Sequence, residues 1–308
     1  MKKKFCYFVN YKEIYKELYQ LEIESILGFL PEQKYFFLDY YFDESKCSFV
    51  RGCLNLDFSS NSIEELVELV KAANLYIDSY KIEYIKVDKD VSYDQRLSAM
   101  RDLGFAIEGE FAITNPGTKL AVTKIDGVWY FGEYLRNNNE WMERVSKPIH
   151  YSIALETRLA HSLINIAASK EDITIVDPCC GIGTILIEAK KMGVEIDGYD
   201  INRKVVWYAN KNLKHYGLEP DAKASDISEI EKHYDVAIVD LPYGQFVKAH
   251  KDSQQHIIES AKKLADKVIF VCMENKDDYL LKQGFEIEGR CIVPKVNQFK
   301  RYIYVVRS

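Results

Sequence analysis

One glycine-rich stretch limits the fold of this chain more than any other feature. It runs from Val176 to Ala189 and reads VDPCCGIGTILIEA. The β-branched residues that lead into it predict a buried strand, and Gly181 and Gly183 allow a tight turn in which the backbone can approach a ligand. The residues from Thr184 to Met192 then have the apolar spacing of a helix, which Gly193 ends. This order predicts an open α/β sheet, although a single glycine turn can also serve packing alone.

Three later strands are predicted to end in an acidic residue. These residues are Asp200, Asp226 and Asp240, and the last is followed by Leu241-Pro242-Tyr243-Gly244. A carboxylate at the position of Asp200 can accept hydrogen bonds from both ribose hydroxyls of a cofactor that contains a nucleoside. The carboxylate of Asp226 can accept the amino group of an adenine. A nicotinamide dehydrogenase usually has a third glycine where this chain has Leu186, so the pattern disfavours that class of enzyme.

The composition limits the partners and the compartment. The 308 residues have a formal net charge of −6, and the acidic excess lies before residue 146. A nucleic-acid partner must therefore bind a local basic patch, because the protein as a whole is not basic. Seven cysteines without paired C-x-x-C clusters argue against both a zinc site and a disulfide framework. No segment approaches the length of a membrane span, so we expect a cytoplasmic protein. The cysteine pattern leads us to expect no metal.

The amino-terminal part predicts short alternating elements. Residues 1–60 read as a small α/β domain rich in tyrosine. Capping boxes that begin at Ser62 and Ser92 predict two helices, with a strand from Lys81 to Val87 between them. Two further strands alternate around Asp126-Gly127, which is a two-residue hairpin signal. The segment therefore reads as helix, strand, helix, strand and hairpin.

The next stretch has the composition of a linker followed by a helix. Residues 137–150 are polar and contain Asn137-Asn138-Asn139, which is typical of a connection between domains. The helix predicted from Ser152 to Ala168 places Leu159 and Leu163 along one side. We expect that apolar side to pack against the sheet that follows.

These motifs carry a resemblance to known families. The glycine turn and the acidic strand ends resemble the Rossmann-like S-adenosylmethionine-dependent methyltransferases, and Asp240-Leu241-Pro242-Tyr243 resembles the Asp/Asn-Pro-Pro-Tyr signature of the branch that methylates amino groups. The element order over residues 61–136 resembles the THUMP domain of RNA-modifying enzymes. The segment around Leu159-Ala160 and Leu163 to Ala167 resembles the region before the cofactor motif in tRNA guanine-N2 methyltransferases.

The resemblance implies a fold, a domain division and partners. The fold is α/β, with a Rossmann-like methyltransferase domain at 151–308 built on a seven-stranded, mostly parallel sheet. An amino-terminal α/β domain at 1–60, a THUMP-like RNA-binding domain at 61–136 and a linker at 137–150 precede it. The implied partners are S-adenosylmethionine and RNA, most simply tRNA, with no metal and no membrane. The protein is expected to be a monomer or a weak dimer.

The same resemblance assigns residues to roles. The implied cofactor-binding residues are Asp177, Cys179, Gly181, Gly183, Thr184, Asp200, Ile201, Asp226, Ile227 and Asp240. The implied catalytic residues are Asp240, Leu241, Pro242 and Tyr243. The carboxylate of Asp240 and the carbonyl of Leu241 are expected to accept hydrogen bonds from the amine of guanine N2, and Asp240 to take the proton afterwards. Pro242 is expected to hold the turn, and Tyr243 is expected to stack on an extruded base.

One departure from the family pattern keeps other functions open. The family has proline where this chain has Leu241, and proline there would stiffen Asp240. The motif also fits adenine N6 or cytosine N4 in DNA or another RNA, and a protein that binds RNA without transferring a methyl group remains a further hypothesis. We expect RNA to bind a basic patch that includes Lys248, Lys251, Lys300 and Arg301.

Overall fold

The structure is a computed structural model in which the chain divides into two compact units. It describes residues 4–139, 141–142, 148–149, 155–169, 172–242, 247–294 and 300–308, and of 247–252 only the backbone. The first unit contains residues 1–10, 31–45 and 49–138, and the second contains 11–30, 46–48 and 139–308. The strands are β1 Phe5–Val9, β2 Tyr35–Leu38, β3 Val50–Asn55, β4 Phe58–Ser60, β5 Tyr76–Tyr84, β6 Glu108–Phe111, β7 Thr118–Ile125, β8 Val128–Arg136, β9 Ile175–Asp177, β10 Ile196–Asp200, β11 Lys223–Ala224, β12 Tyr234–Asp240, β13 Ala265–Cys272, β14 Glu286–Pro294 and β15 Lys300–Arg307. The helices are α1 Lys16–Leu27, α2 Ile63–Ala72, α3 Tyr93–Phe105, α4 Thr157–Ala167, α5 Thr184–Lys191, α6 Arg203–His215, α7 Val247–Leu264 and α8 Asp277–Lys282.

The first unit is built on one mixed sheet of eight strands. Its order is β2-β1-β3-β8-β7-β5-β6, and β4 also pairs with β8. Strand β5 is parallel to both of its neighbours, whereas β7 and β8 form the predicted antiparallel hairpin around Asp126-Gly127. Both turn residues have positive φ, at 51° and 84°, as a tight two-residue hairpin requires. Helices α2 and α3 pack on this sheet through Leu66, Val70 and Leu103.

The predicted order of elements over 61–136 is observed, with two local differences. The strand predicted at Lys81–Val87 instead runs from Tyr76 to Tyr84. Its first half lies beside the short edge strand β6 and carries exposed side chains, so it lacks the apolar alternation that sequence reasoning relies on. Ser92 forms a complete capping box with Gln95, but the side chain of Ser62 caps α2 alone. The division into domains at residues 60 and 136, and the THUMP-like assignment, stay predictions.

The second unit contains the predicted seven-stranded, mostly parallel sheet. Its order is β11-β10-β9-β12-β13-β15-β14. The first five strands in that order are parallel, and β15 is antiparallel to both β13 and β14. The fully buried residues of β12 and β13 form the centre of the core, which explains why both read as continuous apolar runs. The predicted Rossmann-like α/β fold is confirmed.

Helix α4 differs from its prediction as a one-sided amphipathic helix. Nearly all of its residues are buried, including the polar residues Ser162 and Asn165. These two donate hydrogen bonds to the carboxylate of Glu22 in α1, with donor–acceptor distances of 2.8 Å and 2.5 Å. The expectation of one buried side is therefore wrong, because α1 covers a second side and supplies a buried acceptor to the polar residues found there.

None of the helices in the described ranges combines the length and the apolar character that crossing a membrane requires.

Candidate functional site

The site lies where the order of the parallel strands reverses. Strand β9 is hydrogen-bonded to β10 on one side and to β12 on the other, and the chain leaves β9 at its carboxyl end through the glycine turn. In open α/β sheets, ligands bind outside the carboxyl ends of the strands at such a switch point. The acidic residues predicted at strand ends occupy this edge: Asp177 ends β9, Asp200 ends β10 and Asp240 ends β12.

The glycine turn has the backbone that its sequence predicts. Gly181 has a φ of 54° and Gly183 a φ of 82°, both in the left-handed region that glycine adopts without strain. Gly183 is also the N-cap of α5, and a Cβ added to it would lie 3.3 Å from the Cβ of Ala209 in α6. Gly183 therefore serves both the turn and the close packing of two helices.

Asp200 and Asp177 are held by backbone N–H groups. The two oxygens of Asp200 accept hydrogen bonds from Gly181 N–H at 3.0 Å and from Asn202 N–H at 2.8 Å. Burial raises the pKa of Asp200, and the two backbone hydrogen bonds oppose the rise. Asp177 accepts from Cys179 N–H at 3.2 Å, and burial, together with the charges of Asp240 and Asp200, raises its pKa well above the ordinary value. A carboxylate has about four lone-pair positions, so Asp200 retains acceptor capacity for ligand hydroxyls.

Asp226 is held differently, by two side chains as well as one backbone N–H group. Its Oδ1 accepts hydrogen bonds from Ser228 N–H at 2.8 Å, from Ser228 Oγ at 2.6 Å and from His256 Nε2 at 2.9 Å. The Ser228 hydroxyl and His256 lower the pKa of Asp226 to about 2. The carboxylate is therefore ionised throughout the neutral range, and its second oxygen is the acceptor available to a ligand amino group.

These elements enclose a cavity of about 480 Å³. The volume falls within the range of small-molecule and cofactor sites. The cavity is lined by Pro178, Cys179, Gly181, Ile182, Asp200, Ile201, Val205, Ser225, Asp226, Ile227, Asp240, Leu241, Pro242, Ser253, His256 and Ile257. Asp177 and Thr184 line a smaller cavity of about 60 Å³ beside it, which Asp240 also lines. The structure thus brings together nearly all the residues predicted from the sequence, while Gly183 lies behind them at the helix N-terminus.

The segment after β12 shows what the departure at Leu241 does. Leu241 is 2% exposed and belongs to the core of the unit, and its N–H donates to the carbonyl of Val271 at 3.0 Å. A proline at this position would lose both that hydrogen bond and the packed leucine side chain. The carbonyl of Pro242 accepts a hydrogen bond from Gln254 Nε2 at 2.7 Å, which fixes the turn from outside the motif. Tyr243 lies outside the described residues.

Two other predicted features have different outcomes. Burial raises the pKa of both Cys179 and Cys180, which opposes formation of a thiolate and disfavours either residue as a nucleophile. In the predicted basic patch, Lys300 is exposed but Arg301 is only 2% exposed. Arg301 cannot present its guanidinium to RNA, so that part of the prediction is wrong, because alternation along β15 turns Arg301 inward. The side chains of Lys248 and Lys251 lie outside the described residues.

Sequence reasoning missed His256 and Gln254. Both lie on α7, where His256 contacts Asp226 and Gln254 contacts Pro242. Each pair is separated in the sequence by more than ten residues, and neither residue belongs to a motif. For His256, the signal that could have found it is its place beside Ile257 on α7, since both residues line the cavity.

Comparison with known proteins identifies two families. A family model described as "RMKL-like, methyltransferase domain" matches residues 144–282. A second, described as "DNA methylase", matches residues 2–211, which is more than half of the chain. The first covers the site just described, and the second extends from the amino terminus into α6.

Curated relatives narrow the resemblance. The tRNA (guanine(10)-N2)-dimethyltransferase of Methanothermobacter thermautotrophicus is 36% identical over 101 residues, which are 32% of this chain and 30% of that protein. The protein of the same name from Methanocaldococcus jannaschii is 25% identical over 295 residues, 82% of each chain. The U6 snRNA (guanine-N(2))-methyltransferase THUMPD2 of Bos taurus is 28% identical over 139 residues, 43% of this chain and 28% of that protein. These matches confirm the resemblance to the guanine-N2 methyltransferases, although the chain spans under a third of the first relative.

Proposed function

The chain belongs to the methyltransferase family described as DNA methylase, and from this premise we propose that it methylates an exocyclic amine of a nucleobase. The observation that carries the proposal is the cavity at the switch point of the sheet. Asp200 and Asp226 line it together with Asp240, Leu241 and Pro242. Acceptors suited to a nucleoside cofactor and acceptors suited to a planar amine thus line one space.

The residues present fit S-adenosylmethionine, which supplies a sulfonium methyl group when bound. Asp200 keeps acceptor capacity for two ribose hydroxyls, and the ionised Asp226 can accept an adenine amino group. Ile201 and Ile227 supply apolar walls of the cavity. Gly181 and Gly183 keep the backbone clear of side chains at the start of α5. Asp177, Cys179 and Thr184 line the smaller cavity beside this turn, and we assign them to the cofactor as well.

The amine is activated by positioning. The lone pair of an exocyclic amine is delocalised into its ring, so the enzyme must favour the pyramidal geometry that develops during transfer. The Asp240 carboxylate and the Leu241 carbonyl each accept a hydrogen bond from one amine N–H, which holds the nitrogen in that geometry. Pro242 fixes the turn, Tyr243 stacks on the base, and Asp240 receives the proton released after transfer.

We take guanosine N2 in tRNA as the substrate. The support is the name of the Methanocaldococcus jannaschii relative, which matches over 82% of this chain, together with the element order of residues 61–136. On this proposal the THUMP-like segment binds RNA, and the protein works in the cytoplasm as a monomer or a weak dimer without a metal. The THUMPD2 relative makes U6 snRNA the first RNA to compare with tRNA.

A second candidate has a specific observation in its favour. The family model that covers most of the chain is described as DNA methylase, so adenine N6 or cytosine N4 in DNA is the alternative amine. Asp240 and the carbonyl of Leu241 would accept hydrogen bonds from any of these amines in the same way. A binding protein that retains the cavity without transfer is the third hypothesis, which rests on the departure at Leu241.

Nucleoside mass spectrometry separates the three. RNA and DNA from cells with and without the gene are digested and compared, and we expect N2-methylated guanosine in the tRNA fraction to fall. A fall confined to snRNA moves the substrate to that RNA, and a loss of N6-methyladenine or N4-methylcytosine from DNA favours the second candidate. Unchanged methylated nucleosides, with no transfer by the purified protein to any of these nucleic acids, favour the binding protein.

A further inference from the structure

The outer face of helix α6 is basic and aromatic. We name it the α6 cationic face, and it consists of Arg203, Lys204, Trp207, Lys211 and Lys214. At 100° per residue these positions fall within one arc of the helix, opposite the buried Val206, Ala209 and Leu213. All five residues are exposed, and residues 201–218 contain no aspartate or glutamate. In a chain with a net charge of −6, this is a local reversal of sign.

The cations of this face have no carboxylate partners within the described part of the chain. Elsewhere in the same unit, lysines at a second cleft are paired, Lys190 with Asp221 at 2.6 Å and Lys232 with Asp197 at 2.8 Å. Lys211 and Lys204 instead lie over aromatic rings, 3.8 Å from the centre of Trp207 and 5.9 Å from that of Tyr208. Unpaired cations beside an aromatic surface match an anionic partner that also has flat rings.

Trp207 is unusual for a helix packed on a sheet. Its side chain is 53% exposed, although tryptophan is among the residues that gain most from burial. An exposed indole flanked by lysine is the combination on which single-stranded nucleic acids stack a base while their phosphates are neutralised.

The position of two cations argues against a structural reason for them. Arg203 and Lys204 occupy the first turn of α6, where the helix dipole favours acidic residues and disfavours cations. The first turn of α6 contains no acidic residue. These two side chains therefore weaken the helix slightly, and their neutralisation should not unfold the protein.

The face begins at the rim of the cavity. Asp200 ends β10, Asn202 caps α6, and both Ile201 and Val205 line the cavity. From there the helix extends thirteen residues, or about 20 Å. We propose that the α6 cationic face binds the phosphates of the RNA substrate beside the target nucleotide and stacks an unpaired base on Trp207. The proposal rests on the proposed function and assigns an RNA-contacting surface to the methyltransferase unit itself.

The test measures RNA affinity against salt concentration for the full-length protein. The probe is a fluorescently labelled, unmodified tRNA transcript. A variant with Arg203→Gln, Lys204→Gln and Lys211→Gln should reduce the slope of log affinity against log salt by about 2 to 3, because each lost phosphate contact removes roughly 0.7 to 0.9. Trp207→Leu should weaken binding by about tenfold with an unchanged slope, since stacking does not depend on counterions.

The matched control neutralises three cations at other helix ends. Lys191, Lys263 and Lys282 are exposed and lie in the last turns of α5, α7 and α8. Their replacement by glutamine should change the slope by less than about 1. Affinity for S-adenosylhomocysteine, measured by calorimetry, should stay within about twofold in both triple variants, which verifies that each is folded.

The outcomes separate this proposal from the proposed function. An unchanged slope and unchanged transfer in the α6 variant, with an active parent, would overturn the α6 assignment alone. A parent that binds RNA through α6 but transfers no methyl group to tRNA, snRNA or DNA would keep the surface and overturn the activity. A parent that does not bind RNA overturns both, and equal slope losses in the control variant show nonspecific charge and overturn the α6 surface.

Discussion

Two clefts of similar size lie at opposite ends of the parallel strands of the seven-stranded sheet, and each is lined by one aspartate of β10 in different surroundings. The cleft at the carboxyl ends of the strands, here called the carboxyl edge, has a volume of about 480 Å³. The cleft at their amino ends, the amino edge, has a volume of about 430 Å³. At the amino edge, Asp197 accepts hydrogen bonds from Lys232 at 2.8 Å and from the Tyr234 hydroxyl at 2.7 Å. Burial alone would raise the pKa of Asp197, but these hydrogen bonds lower it overall. At the carboxyl edge, burial raises the pKa of Asp200, three residues along the same strand.

The difference between Asp200 and Asp197 indicates which of the two clefts is suited to bind a ligand. Volume does not separate the two clefts, whereas the surroundings of the two carboxylates of β10, Asp197 and Asp200, differ between them. Lysines at the amino edge already neutralise Asp197 and Asp221. Within the described part of the chain, Asp200 accepts hydrogen bonds from backbone N–H groups, so a bound ligand with hydroxyl groups can supply further donors. Three predictions test this contrast.

The largest effect is expected at Asp240. Asp240→Ala should slow single-turnover methyl transfer by about a hundredfold or more, because it removes a preorganised acceptor for the amine. Asp235→Ala is the control at the amino end of the same strand, where Asp235 accepts hydrogen bonds from Thr174. It should leave transfer unchanged. Equal rates in the Asp240 variant and the parent would remove Asp240 from the mechanism.

The second prediction compares two aspartates of strand β10. Asp200→Ala should weaken binding of S-adenosylhomocysteine by about 3 kcal/mol, the scale for losing two hydrogen bonds to a charged group. Asp197→Ala removes a carboxylate from the amino edge and should leave this affinity within about twofold. Isothermal calorimetry of both variants is the measurement. Similar losses in the two would show that the loss reflects general damage to the strand rather than a ribose contact.

The smallest effects concern stability, and they should have opposite signs. The raised pKa of Asp177 means that the folded protein binds this proton more tightly than the unfolded chain does. The free energy of unfolding therefore falls as pH rises from about 4 toward that raised pKa. Asp177→Asn should therefore raise the melting temperature at pH 7 by about 2–4 °C. Asp197 has a lowered pKa and is about one third exposed, with 36% of its side chain accessible. Its contribution is present above pH 4 and is lost as pH falls through the lowered pKa.

Asp197→Asn should accordingly lower the melting temperature at pH 7 by about 1–2 °C, since a partly exposed ion pair contributes well under 1 kcal/mol. Thermal melts from pH 3 to pH 8 check both variants. The difference in melting temperature between the parent and Asp197→Asn should shrink as pH falls below about 4. A lowered melting temperature in Asp177→Asn would contradict the claim that this carboxylate is retained at a cost to stability.

The errors of the sequence-based predictions occurred where side chains meet elements distant in sequence. In the second unit, β9, β10, β12 and α5 followed from apolar runs and glycines, whereas helix α6 was not predicted. Strand β5 was misplaced because its exposed half has no alternation to read. Helix α4 was taken as one-sided because nothing near it in the sequence announces Glu22, its buried partner in α1.

The sequence by itself predicted a ligand site at the carboxyl ends of the parallel strands. A strand that runs into a glycine turn, followed by strands that end in acidic residues, can adopt few backbone arrangements. The sequence therefore predicted that Gly181, Asp200, Asp226 and Asp240 lie together, and all four line one cavity. Only the tertiary structure decided the charge state and the surroundings of these residues. The pKa of Asp226 depends on His256, 30 residues away, and the role of Leu241 depends on a hydrogen bond to the neighbouring strand. Such contacts are set by the packing of whole elements, and no local pattern encodes them.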